Sequence, residues 1–324
     1  MRLDFAGGWT DVAPFSSREG GIVVNGAIGL RAHVSLELGG TLLRFVAEDL
    51  GETLECANAG GLSGHAKLPL LMAALRMFPV LGGFTLTTRS DAPPGSGLGS
   101  SGALGVALVG ALTRARQETL QQREVADQAW HVETIEAQLS GGKQDQYAAA
   151  LGGFHRLSFR DPDVGIEPVT LDAAFAAALE RQILVCYTNK SRVSGDTIAR
   201  VMGAYERGDA SVTGALRGLK DTGNAMVEAL RAADLARVGG LLSENWQHQQ
   251  ALDPAMRTPE MARLEGAARD AGALGGKAAG AGAGGCMFFL MRGDARAAAQ
   301  AVAAAADGAR VLPLAWSGEG VRSW

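Results

Sequence analysis

The chain has 324 residues, 47% of them hydrophobic and 20% charged, a globular composition long enough to bury one large or two ordinary cores. Its formal net charge is −4 with no basic tract, which excludes the phosphate-neutralising surface that a nucleic-acid partner requires. No apolar run approaches the roughly 20 residues needed to cross a bilayer, so no membrane partner is expected.

Arg2-Leu3-Asp4-Phe5-Ala6 alternates as a strand does and breaks at Gly7-Gly8-Trp9-Thr10-Asp11. Segments 21–28, 30–38 and 42–47 read as strands, with Gly39-Gly40 as a hairpin turn between the last two. A helix is expected over 67–78, with Pro69 in its first turn, and a strand over 83–88. Then comes Pro93-Pro94-Gly95-Ser96-Gly97-Leu98-Gly99-Ser100-Ser101-Gly102, followed by a helix over 102–116. A longer helix over 121–139 places Val125, Ala129, Val132 and Ile135 or Glu136 at helical spacing. Ser140-Gly141-Gly142 ends it, and Lys143-Gln144-Asp145-Gln146-Tyr147 opens a short helix closed by Gly152-Gly153. Segments 154–159 and 166–171 read as strands around the polar turn at 160–163, and the first domain is expected to span residues 1–170.

The second domain, 171–324, begins with a short helix at 172–180 and a buried strand at 182–188. Residues 194–250 read as mostly helical, with breaks at Gly208-Asp209 and at 232–234. A helix at 259–271 leads into a second glycine-rich segment, 275–285, and a strand at 286–291 follows at once. An Ala-rich helix (294–306) and a last strand (310–315) complete an α+β order that suggests helices packed on an antiparallel sheet. The N-terminal residues lack the apolar region of a signal peptide. Cys56, Cys186 and Cys286 are far apart and show no zinc spacing, so reduced thiols and a cytoplasmic location are expected.

The glycine loop at 95–101 suits phosphate. Glycine lets the backbone come close, amide N–H groups point outward, and the following helix start adds partial positive charge. A dinucleotide-binding reading rests on GxGxxG matches at Gly97/Gly99/Gly102 and Gly280/Gly282/Gly285. It requires a strand after the first helix, whereas two helices in a row follow, and the second match precedes a strand. A nicotinamide-dependent oxidoreductase therefore remains only as a remote alternative. No Gly-Lys-Ser/Thr closes either segment, which removes a Walker P-loop. A plain turn leaves the two serines unexplained.

PPGSGLGSSGA (93–103) resembles the phosphate-binding motif of the GHMP kinases. RLDFAGGWTD (2–11) resembles their N-terminal signature, and GALGGKAAGAGAGGCMFFL (272–290) their glycine-rich C-terminal motif, with Ala283 where glycine is common. Within that superfamily, FAGGWTD, GGKQDQYAAALGG (141–153) and LGGKAAGAGAGG look most like the bacterial D-glycero-D-manno-heptose 7-phosphate kinases, then the L-fucose kinase domain. The resemblance implies an N-terminal mixed α/β domain carrying the phosphate loop and a ferredoxin-like α/β sandwich behind it.

It also implies a sugar kinase that uses ATP and Mg²⁺ and contributes to nucleotide-activated heptose, with a sugar or sugar phosphate as its small-molecule partner. A catalytically silent binding protein would not need the whole set of Arg2, Ser101, Glu133 and Asp145. The backbone of Gly95, Ser96, Gly97, Leu98, Gly99, Ser100 and Ser101 would wrap the ATP phosphates. Ser101 and Glu133 would hold Mg²⁺, with Glu136 a rival one turn later. Asp145 would act on the attacking hydroxyl as base or orienter, with Arg2 beside it. Gly8, Trp9, Thr10 and Asp11 would receive the sugar, and Gly280, Gly282, Gly284 and Gly285 would close the site. For a distal substrate phosphate the cations in reach of the motifs are Lys143, Lys190, Arg192 and Lys277. Trp246 and His248 read as packing and surface residues. A homodimer is left open.

Overall fold

The structure, a computed structural model, describes residues 1–58, 68–190 and 195–324. The first half runs β1 (Arg2–Ala6), α1 (Phe15–Glu19), β2 (Gly21–Ala27), β3 (Ala32–Leu38), β4 (Leu43–Ala47), β5 (Glu52–Cys56), α2 (Pro69–Met77) and β6 (Phe84–Ser90). It continues with α3 (Ser100–Ala115), α4 (Gln122–His131), α5 (Gln144–Leu151), β7 (Phe154–Arg160) and β8 (Asp163–Pro168). The second half runs α6 (Ala173–Gln182), β9 (Ile183–Tyr187), α7 (Gly195–Glu206), α8 (Ala210–Arg231) and α9 (Leu235–Gln250). It ends with α10 (Pro259–Asp270), β10 (Ala273–Ala278), β11 (Cys286–Met291), α11 (Arg296–Ala304) and β12 (Arg310–Leu312).

The described strands form three four-stranded sheets, ordered β1-β2-β7-β8, β3-β6-β4-β5 and β10-β11-β9-β12. The third is antiparallel throughout. With β9 as its first strand, its order is second-third-first-fourth, the arrangement of a split βαβ or ferredoxin-like unit. Both faces of β9 are buried. Ile183, Val185 and Tyr187 join the cluster shared with β1, while Leu184 and Cys186 face a cluster with α7, α8, α10 and α11. That double burial explains why the segment reads as a continuous apolar run.

The Gly39-Gly40 hairpin does not form. β6 lies between β3 and β4, antiparallel to the first and parallel to the second. β6 buries Phe84, Leu86 and Thr88 on one face, and β4 beside it buries Leu43, Phe45 and Ala47. The glycine turn closes instead on the entrance to β6, where the Gly39 N–H donates to the Gly83 carbonyl at 2.8 Å. The expected 121–139 helix is not continuous α-helix either. α4 passes into a π-helical turn, Val132–Glu136, a distortion that often accompanies function.

β1 joins the two halves. Phe5 is fully buried, with ring centroids 6.1 Å from Phe154 and Phe288 and 6.0 Å from Trp316. After β12 the chain returns to the first half. Ser317 N–H donates to the Ala27 carbonyl at 2.9 Å, and Val321 N–H to the Ala150 carbonyl at 3.1 Å. The last residues of the 171–324 segment therefore pack with residues 1–170. Among the described residues no helix is long and apolar enough to cross a membrane.

Because Phe5 is packed by aromatic rings from both halves, Phe5→Ala should destabilise the protein by about 3–5 kcal/mol. Urea unfolding followed by tryptophan fluorescence and by far-UV circular dichroism checks this, with the midpoint falling in both signals together.

Candidate active site

Two glycine-rich segments meet backbone to backbone. Gly95, Gly97 and Gly99 have φ values of 65°, 75° and 76°, so the loop before α3 is left-handed at alternate positions. A Cβ on Gly97 would lie 2.4 Å from the Ala279 carbonyl oxygen, and one on Gly280 would lie 2.6 Å from the Gly97 carbonyl oxygen. A Cβ on Gly285 would lie 2.7 Å from the Ser96 carbonyl oxygen, and the Cys286 N–H donates to that same oxygen at 2.7 Å. Only glycine permits this approach. The contact leaves the Gly97 and Gly99 N–H groups without partners among the described residues, next to the unpaired first-turn amides of Ser100 and Ser101. The assembly presents an array of N–H donors at a helix start, which is an anion cradle. Ala283 adopts φ 59°, so it keeps the left-handed geometry that glycine would occupy more easily.

A cleft of about 360 Å³ opens over the loop, lined by Arg2, Trp9, Asp11, Glu133, Asp145 and Gly280 among others. Arg2 is 2% exposed. Its Nε donates to Asp145 Oδ1 at 2.8 Å, its Nη2 lies 2.6 Å from that oxygen, and its Nη1 donates to the Gly97 carbonyl at 2.6 Å. Burial works against the Arg2 charge, but the Asp145 and Asp4 carboxylates outweigh it and raise its pKa. Asp145 Oδ2 has no partner among the described residues. Its side chain is partly exposed to the cleft, at the N-terminus of α5.

Asp11 is buried beneath this pair. Its Oδ2 accepts the Gln144 N–H at 3.0 Å. Burial pushes its carboxyl up to about 6, with the neighbouring Asp145 charge adding to the rise and the Gln144 N–H opposing it. Glu133, in the π turn, accepts from Ser101 Oγ and from Gln146 Nε2, each at 2.5 Å. Burial raises its pKa to about 7. No basic side chain among the described residues pairs with it. A hydroxyl and a carboxylate oxygen side by side, without a cation, suit a hard divalent ion that takes its remaining ligands from substrate phosphates. Among the described residues no cluster of three or more His, Cys, Asp or Glu forms a metal site. Glu136 lies instead near Arg76 and His131.

Several expected residues sit elsewhere. Lys143 does not reach the cleft lining; its Nζ donates to Asp161 Oδ1 at 2.7 Å and lies 4.5 Å from the Trp130 ring centroid. Lys277 is fully buried on Asp4, with no route to a substrate phosphate. Lys190 is exposed and outside the lining. Arg192 lies outside the described residues. Leu98 is buried, and its carbonyl accepts the Arg2 N–H at 3.0 Å. Thr10 is spent on structure, its hydroxyl donating to the Gly7 carbonyl. Gly8 packs against Asp4, where a Cβ would lie 2.6 Å from Oδ2. Of the C-terminal glycines, Gly280 lines the cleft, while Gly282, Gly284 and Gly285 lie behind it. Trp246 is core and His248 sits near Glu244 on α9.

Sequence reasoning missed Asp4, Gln144 and Gln146. Asp4 is two residues from Arg2 on an otherwise apolar strand, and period-two alternation puts both on one face. Gln144 and Gln146 flank Asp145, and their amides serve Asp11 and Glu133.

Residues 67–153 match the family described as GHMP kinases N terminal domain, and residues 226–308 match GHMP kinases C terminal. The chain is 31% identical over 301 residues to D-glycero-alpha-D-manno-heptose 7-phosphate kinase of Campylobacter jejuni, covering 90% of this chain and 87% of that one. It is 26% identical over 275 residues to the bifunctional fucokinase/GDP-fucose pyrophosphorylase of Arabidopsis thaliana, covering 78% of this chain and 26% of that protein. The crystal structure of a D-glycero-D-manno-heptose 1-phosphate kinase from Bacteroides thetaiotaomicron superposes with a TM-score of 0.78 at 25% identity, covering 99% of this chain and 95% of that one.

The buried Asp11 yields a pH test. A folded-state pKa of about 6 against an ordinary 3.8 means that the folded state binds the extra proton between those values. Stability therefore falls as pH rises through that window, then stays level. Asp11→Asn, which still accepts from Gln144, should stabilise the ligand-free protein at pH 7.5 by up to about 3 kcal/mol. The gain should shrink below pH 6 and vanish near pH 4, as read by urea unfolding across pH.

Proposed function

The chain belongs to the GHMP kinases and is a sugar kinase, and we propose that it transfers the γ-phosphate of MgATP to the anomeric hydroxyl of D-glycero-D-manno-heptose 7-phosphate. The observation that carries the reading is the Arg2–Asp145 pair, set between the donor array of the glycine loop and the cleft over Asp11.

Phosphoryl transfer asks the protein mainly for alignment and charge neutralisation. Residues 1–170 would supply the grip on ATP, through the free amides of Gly97, Gly99, Ser100 and Ser101. Residues 171–324 would supply the glycine segment that backs it. Mg²⁺, held by Ser101 and Glu133 when bound, would neutralise charge on the β- and γ-phosphates. Asp145 Oδ2 would face the sugar hydroxyl and accept its proton or its hydrogen bond. Arg2 occupies Oδ1, which fixes the carboxylate plane, and its positive charge offsets the charge that develops between hydroxyl and phosphorus. Asp11, with Trp9 beside it in the cleft lining, would receive other sugar hydroxyls. With ATP as donor, the setting proposed is the cytoplasm.

A coupled ADP-release assay over sugars and sugar phosphates tests the substrate. Heptose 7-phosphate should give the highest kcat/KM, and phosphorus NMR of the product should place the new phosphate on the anomeric oxygen. Activity on fucose with none on heptose 7-phosphate would overturn the assignment. Asp145→Asn should lower kcat by about 10²–10⁴-fold while ATP affinity, measured by calorimetry, stays within a few-fold of wild type.

A further inference from the structure

Asp4 and Lys277 form an ion pair with almost no solvent access, at 1% and 0% side-chain exposure. Lys277 Nζ is 2.7 Å from Asp4 Oδ2 and donates to the Asp4 carbonyl at 2.8 Å. Neither residue lines the cleft. A staple between β1 and β10 needs no charge, because well-packed apolar side chains serve as well as a buried ion pair. The charges therefore call for another explanation.

Their surroundings provide one. Asp4 Oδ1 accepts the Gly280 N–H at 3.1 Å and stands 4.0 Å from Arg2 Nη1. Arg2 is bound forward to Asp145 and to the Gly97 carbonyl, and Gly97 lies against Gly280. Arg2, Gly97, Gly280 and Asp4 thus close a ring, with Lys277 beneath it. The Arg2 guanidinium has a carboxylate on each side, Asp145 at 2.6 Å and Asp4 at 4.0 Å. In a site shielded from water, the pull of each carboxylate is strong and depends steeply on how its charge is already compensated. The Lys277 ammonium compensates Asp4, so the guanidinium stays with Asp145. Without it, Asp4 competes for Arg2.

We propose that Lys277, acting through Asp4, is a positioning residue that holds the Arg2 guanidinium forward on Asp145 and the phosphate loop. The inference rests on Arg2 and Asp145 standing at the transferred phosphate, and not on which sugar receives it. Wild-type enzyme is therefore assayed first on its own best sugar, so failure of heptose 7-phosphate as substrate leaves the test intact.

The test compares Lys277→Met with the Lys277→Met/Asp4→Asn double variant, by kcat, KM for ATP and thermal unfolding. A misplaced guanidinium should lower kcat in Lys277→Met by about 10²-fold, with KM for ATP within about threefold of wild type. The double variant removes the competing charge and should recover at least about tenfold of the lost kcat. A pair that only stabilises the fold would lower the unfolding temperature and leave kcat of the folded enzyme unchanged. Wild-type kcat in Lys277→Met, or a double variant as slow as the single, overturns the proposal. Should Lys277→Met not fold, Lys277→Gln keeps a donor to Asp4 without the charge. A similar loss of kcat supports the proposal there, and wild-type kcat overturns it.

Discussion

The glycine loop before α3 rests directly on the backbone of the second glycine segment, and the rest of the site hangs from that contact. No side chain lies between Gly97 and Gly280, or between Ser96 and Gly285. The contact joins a loop from the first half to a turn that follows β10 in the second. It leaves the Gly97 and Gly99 amides unpaired among the described residues that line the cleft and puts the Gly97 carbonyl where Arg2 can bind it. Arg2 in turn fixes Asp145. A chain of short contacts thus runs from the ferredoxin-like sheet to the carboxylate proposed to meet the sugar.

The cleft is also electrostatically tense. Asp11, Glu133 and Asp145 line it, and Arg2 is the one basic side chain among its described lining residues. Burial raises the pKa of both Asp11 and Glu133. Such groups cost stability when the site is empty. They suit a site completed by a divalent cation and a polyhydroxylated ligand, whose hydroxyls can donate to a buried carboxylate. Buried polar atoms at Trp9, Gln144 and Gln146 also lack partners among the described residues, which fits a site completed by ligand or water rather than by the protein itself.

Much of this was legible from local pattern. Alternating glycines followed by two serines mark a loop with free glycine amides, and the structure builds that loop at the start of α3. The alternation of β1 places Arg2 and Asp4 on one face. Long-range partnership was not legible. Lys143 and Lys277 read as free cations near motifs, yet each is bound to an aspartate distant in sequence, Asp161 or Asp4. The Gly39-Gly40 turn reads as a hairpin because nothing local reveals that β6 enters between its strands. Gly275, Gly276 and Lys277 fall in a glycine-rich segment with no strand assigned from sequence, but they pair with β11, since glycine there lets α9 and Phe289 pack close to β10. Glu133 and Glu136 were separable only once the π turn set their directions.

The central claim is that direct backbone contact between the two glycine segments shapes the proposed ATP site. Gly280→Ala tests it most directly, because the new Cβ would lie 2.6 Å from the Gly97 carbonyl oxygen at a φ of 63°. The account predicts a folded enzyme whose kcat/KM for ATP falls by about 10²-fold, measured from initial rates at saturating sugar. A Gly280→Ala enzyme with wild-type kcat/KM for ATP would contradict it.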